Sequence, residues 1–200
     1  MDSDKKKSKW KKSMIEWGVI IGVILLLYVT GWHTQVFGTI QRGMLATGLI
    51  KPSIPSMTAD FPDASREFYF ANEEGTVQSL SEYEGEVIFM NVWATWCPPC
   101  IAEMPSIKAL YDSLEGVENI TFLIVSVDED FNKAKEFMAN RNFDLPIYHY
   151  RTRSPDAYES RSIPTTYIIS KDGKLMMEKR GLAKYDTKEF RDFMIELSAL

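Results

Sequence analysis

Cys97-Pro98-Pro99-Cys100 holds both of the chain's cysteines. Two cysteines three apart at the start of a helix lie on one side of its first turn. Their sulfurs can bridge there, and unpaired backbone N–H groups favour a thiolate. The chemistry this suggests is thiol–disulfide exchange: Cys97, exposed at the open end of the helix, attacks, and Cys100, one turn deeper, resolves. Zinc wants about four ligands, and the remaining candidates are only His33 and His149, so no metal is expected. A static structural bridge stays open as a reading, although closing so short a loop restricts the unfolded chain little.

The flanking sequence must position this pair. Val87 to Trp93 is too apolar to have a wet face, which predicts a central strand covered on both sides. From the cysteines to about Leu114 the spacing is helical, with Ile107, Leu110 and Leu114 on one face. Pro98 and Pro99 fit the first turn, whose N–H groups have no intrahelical partner, whereas Pro105 falls inside the helix and deletes a bond. Ile120 to Val127 is a second apolar strand. Asp128, Glu129 and Asp130 then open a helix to about Asn140, where acidic residues complement the dipole.

Phe143 to Tyr150 reads as a short strand and Arg151 to Ser162 as a polar loop with a turn of helix at 156–160. Thr165 to Ile169 and Leu175 to Lys179 form a hairpin around Lys171-Asp172-Gly173-Lys174. Asp186 to Leu197 closes the domain as a helix, with Phe190, Phe193 and Leu197 at helical spacing. Ahead of the central strand, Glu67 to Ala71 and Thr76 to Gln78 flank the turn Asn72-Glu73-Glu74-Gly75, and a helical turn at Ser79 to Tyr83 is capped by Ser79 or Ser81. The order β-α-β-α-β-β-α behind a small hairpin predicts an α/β domain over residues 59–200.

The formal charge of −5 hides an asymmetry. Of 23 basic groups six are lysines within the first 14 residues, and residues 17–200 keep 17 against 25 acidic groups, a net of −8. So acidic a body excludes nucleic acid as a partner, because phosphate binding needs a basic face. After the lysines, WGVIIGVILLLYVTGW runs from Trp17 to Trp32 without a charge, and Met14 and Ile15 extend it across Glu16. Some 19 residues at 1.5 Å each reach about 28 Å, close to the ~30 Å hydrocarbon thickness, and Trp17, Tyr28 and Trp32 suit the interfacial belts. Residues 1–13 are therefore expected as a cytoplasmic basic tail and 14–32 as a single transmembrane anchor in the lipid bilayer. The rest of the chain then lies across the membrane. No small-x-small cleavage site follows Thr30, which sets a signal peptide aside. Residues 33–58, punctuated by Gly38, Gly43, Gly48, Pro52 and Pro55, read as a juxtamembrane linker.

Trp96-Cys97-Pro98-Pro99-Cys100, the helix behind it and the distant Ile163-Pro164-Thr165 resemble the thioredoxin superfamily. The match is nearer to its membrane-anchored, extracytoplasmic TlpA/ResA-like thiol–disulfide oxidoreductases. The resemblance covers roughly residues 59–200 and implies a thioredoxin-like fold carrying an N-terminal β-hairpin extension. It implies that Pro164 is the cis-proline facing the Cys pair, and that Trp96, Pro98, Ile163, Pro164 and Thr165 meet the client. Glu103 matches a glutamate three residues after the second cysteine. Where thioredoxin places a buried aspartate this chain has Asn91, which cannot exchange a proton near neutral pH, so Glu103 is the expected proton carrier for Cys100. The peroxiredoxin motif is absent: position 90 is Met90 and position 93 is Trp93.

The implied function is reduction of disulfides in envelope proteins, apocytochrome c among them, in the periplasmic or extracellular space. No cofactor is needed beyond the Cys97–Cys100 disulfide, and a membrane donor supplies electrons. Two prolines between the cysteines remove backbone donors that would hold a thiolate, which argues against a strong oxidant. Thiol oxidase or disulfide isomerase activity stays open as an alternative, as does a membrane-tethered binding module with an inert bridge.

Overall fold

The computed structural model describes Met14 and residues 16–22, 43–45, 47–48, 50–151, 158 and 162–200. It divides into two compact units, Met1–Ile40 and Gln41–Leu200. In the first, Met14 and residues 16–22 are helical, with Met14, Trp17, Val19, Ile20 and Ile21 exposed. Among the described residues no helix is long and apolar enough to cross a membrane. The expected basic tail, residues 23–32 of the expected anchor, the start of the linker and most of the polar loop at 151–162 lie outside the described residues.

The second unit is organised around a seven-stranded sheet. Its strands are β1 (Tyr69–Ala71), β2 (Val77–Ser79), β3 (Val87–Trp93), β4 (Ile120–Ser126), β5 (Ile147–Tyr150), β6 (Thr165–Ile169) and β7 (Leu175–Arg180), and its helices are α1 (Pro98–Ser113), α2 (Phe131–Arg141) and α3 (Lys188–Ala199). The spatial order is β2-β1-β5-β4-β3-β6-β7. Strands β3, β4 and β5 are parallel neighbours, and the remaining pairings are antiparallel. The N-terminal hairpin docks β1 on β5 and so extends the sheet at one edge.

Strand periodicity divides the core between two faces. On one, Val87, Phe89 and Trp93 pack with Ile107 and Leu110 of α1, Ala134 and Met138 of α2, and Phe190, Phe193 and Leu197 of α3. On the other, Ile88 and Met90 join Leu123, Val125, Tyr167 and Ile169 beneath Phe68, Phe70, Leu80 and Tyr158. Helix α1 runs through Pro105. An interior proline costs about 3 kcal/mol, and the fully buried Met104, Ile107 and Leu110 around it outweigh that at roughly 1.5–3 kcal/mol per apolar side chain.

Local signals set the boundaries. Ser79 and Glu82 form a reciprocal capping box on the 3-10 turn Leu80–Tyr83, and Gly85 leaves it at φ +83. Asn142, left-handed at φ 54, closes α2. Ahead of Ala59 the chain is already tied to the domain, since Lys184 N–H donates to the Ile50 carbonyl at 2.9 Å.

Candidate active site

Cys97 is the N-cap of α1, with Pro98 and Pro99 as the first two helical residues. Its sulfur is bonded to that of Cys100, and the Cα atoms are 5.3 Å apart. Of the first three helical positions only Cys100 carries an N–H, and it donates to Cys97 Sγ at 3.3 Å. The expectation of an exposed Cys97 is corrected: in the bridged form it is 4 % exposed and belongs to the core cluster with Trp93, Ala94 and Cys100. The physical reason is the cap itself, which folds the side chain back over the first turn instead of outward. What stands in solvent is the neighbouring Trp96, 67 % exposed, whereas Trp93 is fully buried.

Sheet register brings the distant Ile163-Pro164-Thr165 to this end of β3. Thr165 pairs with Val92, so Pro164 lies level with the residues from which the Cys-bearing turn departs. The Ile163–Pro164 peptide is cis, as the resemblance implies. Ile163 is half-buried against the cluster that holds both cysteines. Pro164 and Thr165 are buried, Pro164 accepting at its carbonyl from Gly181 N–H at 2.8 Å and Thr165 donating its hydroxyl to the Ser162 carbonyl at 2.8 Å. Pro98 is half-buried.

Glu103, one turn beyond Cys100, is fully buried. It faces the sheet where Asn91 continues the row Val87, Phe89, Asn91, Trp93. Asn91 Nδ2 donates to Glu103 Oε1 at 2.8 Å and to Thr166 Oγ1 at 2.9 Å, the Ala183 N–H donates to Glu103 Oε2 at 3.2 Å, and the Tyr185 hydroxyl donates to Thr166 Oγ1 at 2.7 Å. Burial pushes the Glu103 carboxyl up from 4.5 to about 8, against the opposing pull of the Asn91 and Ala183 donors and the positive charge of Lys179. Lys179 on β7 pairs with Thr166 of β6, which pairs in turn with Asn91. Burial also raises the Tyr185 hydroxyl well above its ordinary value, and the neighbouring Glu103 adds to this.

The polar shell around Glu103 was only partly visible in the sequence. Asn91 is the one polar residue in an otherwise apolar strand, which was a usable signal. Thr166, Tyr185 and the Ala183 backbone gave none, because their meeting depends on β6 and on the turn after β7. A second correction concerns Asp128: it is 2 % exposed and bound to Thr95, not placed to complement the α2 dipole. Asp130 is the residue that caps α2.

An α/β fold with a bridged Cys-Pro-Pro-Cys at a helix start and a cis-proline opposite defines a thioredoxin-like class of protein. The AhpC/TSA family matches residues 57–177, and the chain belongs to it. It is 32 % identical over 125 residues to the thiol-disulfide oxidoreductase ResA of Geobacillus thermodenitrificans, covering 62 % of this chain and 71 % of that protein. To the ResA of Bacillus subtilis it is 29 % identical over 159 residues, 79 % of this chain and 82 % of that protein. The fold is shared with a Chlorobium tepidum protein assigned as thiol:disulfide interchange protein DsbE, at a TM-score of 0.60 and 21 % identity over 70 % of this chain and 99 % of that one. The relatives' name supports thiol–disulfide oxidoreductase activity at a chain whose only cysteines are bridged in this way.

Proposed function

We propose that the protein is a membrane-tethered, extracytoplasmic thiol–disulfide oxidoreductase that reduces disulfides in envelope proteins such as apocytochrome c. The observation that carries this reading is the Cys97–Cys100 bridge at the start of α1, backed by the buried Glu103. In the reduced state the Cys97 thiolate attacks one sulfur of a client disulfide. That bond breaks, a mixed disulfide forms and the client's other sulfur leaves as a thiolate that takes a proton. Cys100, losing its proton to the Glu103 carboxylate, attacks Cys97 and releases the second client thiol. Two electrons have then passed to the client, and a dithiol donor in the membrane returns them to the bridge.

A Glu103 carboxyl near 8 lies close to the ordinary range of a cysteine thiol, the matching that proton transfer between the two favours. With a single N–H on the Cys97 sulfur, the thiolate is held less firmly than at a helix start with its full set of donors, which favours the reducing direction over the oxidising one. The tether rests on the uncharged stretch from Trp17 to Trp32 behind six lysines and on the exposed apolar side chains of residues 16–22.

The test is a redox titration of the protein against glutathione and dithiothreitol, joined to trapping with Cys100→Ser. A mixed disulfide at Cys97 with envelope proteins, and a potential above the structural-disulfide range that begins at about −300 mV, are expected. A lower potential with no trapped protein would overturn the reading in favour of an inert bridge in a binding module.

A further inference from the structure

Asp128 is buried beside the turn that carries Cys97, and its two oxygens accept three hydrogen bonds. The Thr95 hydroxyl donates to Oδ1 at 2.7 Å, while the Thr95 N–H at 3.0 Å and the Ser126 hydroxyl at 2.8 Å donate to Oδ2. Its own N–H donates to Ser126 Oγ at 3.1 Å, and its carbonyl accepts from His149 Nε2 at 3.0 Å. The His149 ring lies stacked on Phe131 with centroids 5.0 Å apart. Val127 N–H donates to the Trp93 carbonyl at 2.9 Å, a second tie between the loop leaving β4 and the loop leaving β3.

Burying a carboxylate costs several kcal/mol unless donors meet it, so its place calls for a use. Capping α2 is not that use, because Asp130 already accepts from Asn132 N–H at 3.1 Å. What Asp128 holds is Thr95, by backbone and side chain together. Thr95 is two residues before Cys97 and adjoins the exposed Trp96. The turn closes on itself just there, Cys97 N–H donating to the Ala94 carbonyl at 3.2 Å.

We propose that Asp128 is a positioning residue for exchange at Cys97: its paired hydrogen bonds to Thr95 fix the turn that presents Trp96 and Cys97 to a client disulfide. The inference rests on the redox reading of the Cys pair and adds no chemical step to it. A small displacement of a reacting group costs one to two orders of magnitude in rate, and a protein disulfide, which must dock on the turn, feels it more than a small reagent does.

The test uses the full-length chain in mild detergent. Thr95→Val deletes the hydroxyl and keeps the shape, Thr95→Ser restores the hydroxyl, and Asp128→Asn removes the charge. Each reduced variant is mixed with insulin, whose disulfides serve as the protein probe, and separately with iodoacetamide. We expect Thr95→Val and Asp128→Asn to lower the insulin rate about tenfold while alkylation of Cys97 changes less than twofold, and Thr95→Ser to recover most of the loss. An insulin rate for Thr95→Val within threefold of wild type, a Ser variant as slow as the Val variant, or equal slowing toward both probes overturns the inference. If the wild-type chain shows a potential within the structural-disulfide range and traps no protein through Cys100→Ser, the redox reading fails and this inference with it; if the wild type is redox-active and the variants match it on insulin, the positioning role alone fails.

Discussion

Glu103 and Asp128 are two buried carboxyl groups on either side of the Cys-bearing turn, and they differ in what meets their oxygens. Each Glu103 oxygen takes one donor, Asn91 Nδ2 or Ala183 N–H, with Thr166 and the Tyr185 hydroxyl one bond further out. Asp128 takes three donors from two residues, Thr95 in the loop leaving β3 and Ser126 at the end of β4. The first arrangement leaves the carboxyl pushed up to about 8, where a proton can come and go near neutral pH. The second commits a carboxyl to holding backbone. The contrast is one of partners: burial dominates at Glu103 beside the resolving sulfur, whereas the oxygens of Asp128 are given over to Thr95 and Ser126.

The largest effect that sharpens this contrast is on stability against pH. Glu103 has a folded value above its unfolded one, so below about pH 4.5 both states hold the proton and nothing is lost. From there up to about 8 the unfolded chain releases its proton and the folded one does not. Stability therefore falls by about 1.4 kcal/mol per pH unit and levels off above that window. Glu103→Gln should abolish the fall, giving a difference on the order of 4 kcal/mol between pH 5 and pH 8. Urea unfolding of both proteins at the two pH values measures it, and parallel curves would contradict the assignment. A rise in the resolving rate is expected of the wild type as pH passes through about 8, and the same variant should lack it.

Asp128→Ala comes next. It strands the Thr95 N–H and two hydroxyls, a loss of roughly 3 kcal/mol visible in the urea midpoint. Asn91→Leu deletes a donor that favours the Glu103 carboxylate, so the carboxyl should titrate further above 8, read by carbon NMR of the labelled side chain; an unmoved or lowered midpoint would contradict the hydrogen bond. The smallest change is expected for Thr166→Val. It removes the hydroxyl bridging Asn91 and Tyr185 for about 1 kcal/mol, seen as a shift of a few degrees in thermal midpoint.

Periodicity made the frame legible. Val87–Trp93 and Pro98–Ser113 follow the expected strand and helix closely, because each carries its own pattern of apolar spacing. The hairpin turn at Gly173, at φ +83, was equally plain. Glu103 was legible as a candidate by its spacing from Cys100, but its burial depends on the segment after β7 returning past α1, where Tyr185 N–H reaches Ser106 Oγ at 3.3 Å. Asp128 was misread because its partner lies 33 residues back, and an acidic run before a helix has a sufficient local explanation. The exposure expected of Cys97 failed for a related reason: spacing tells which turn a residue occupies but not whether its side chain folds inward.

The pair Pro98-Pro99 has one more consequence. Two half-buried rings silence two of the three amides that a helix start offers to a sulfur, so the interval between the cysteines works as a dial. Exchanging either ring for an ordinary residue would switch one amide back on and nudge the couple toward accepting electrons, without touching the central strand or the acid beneath it.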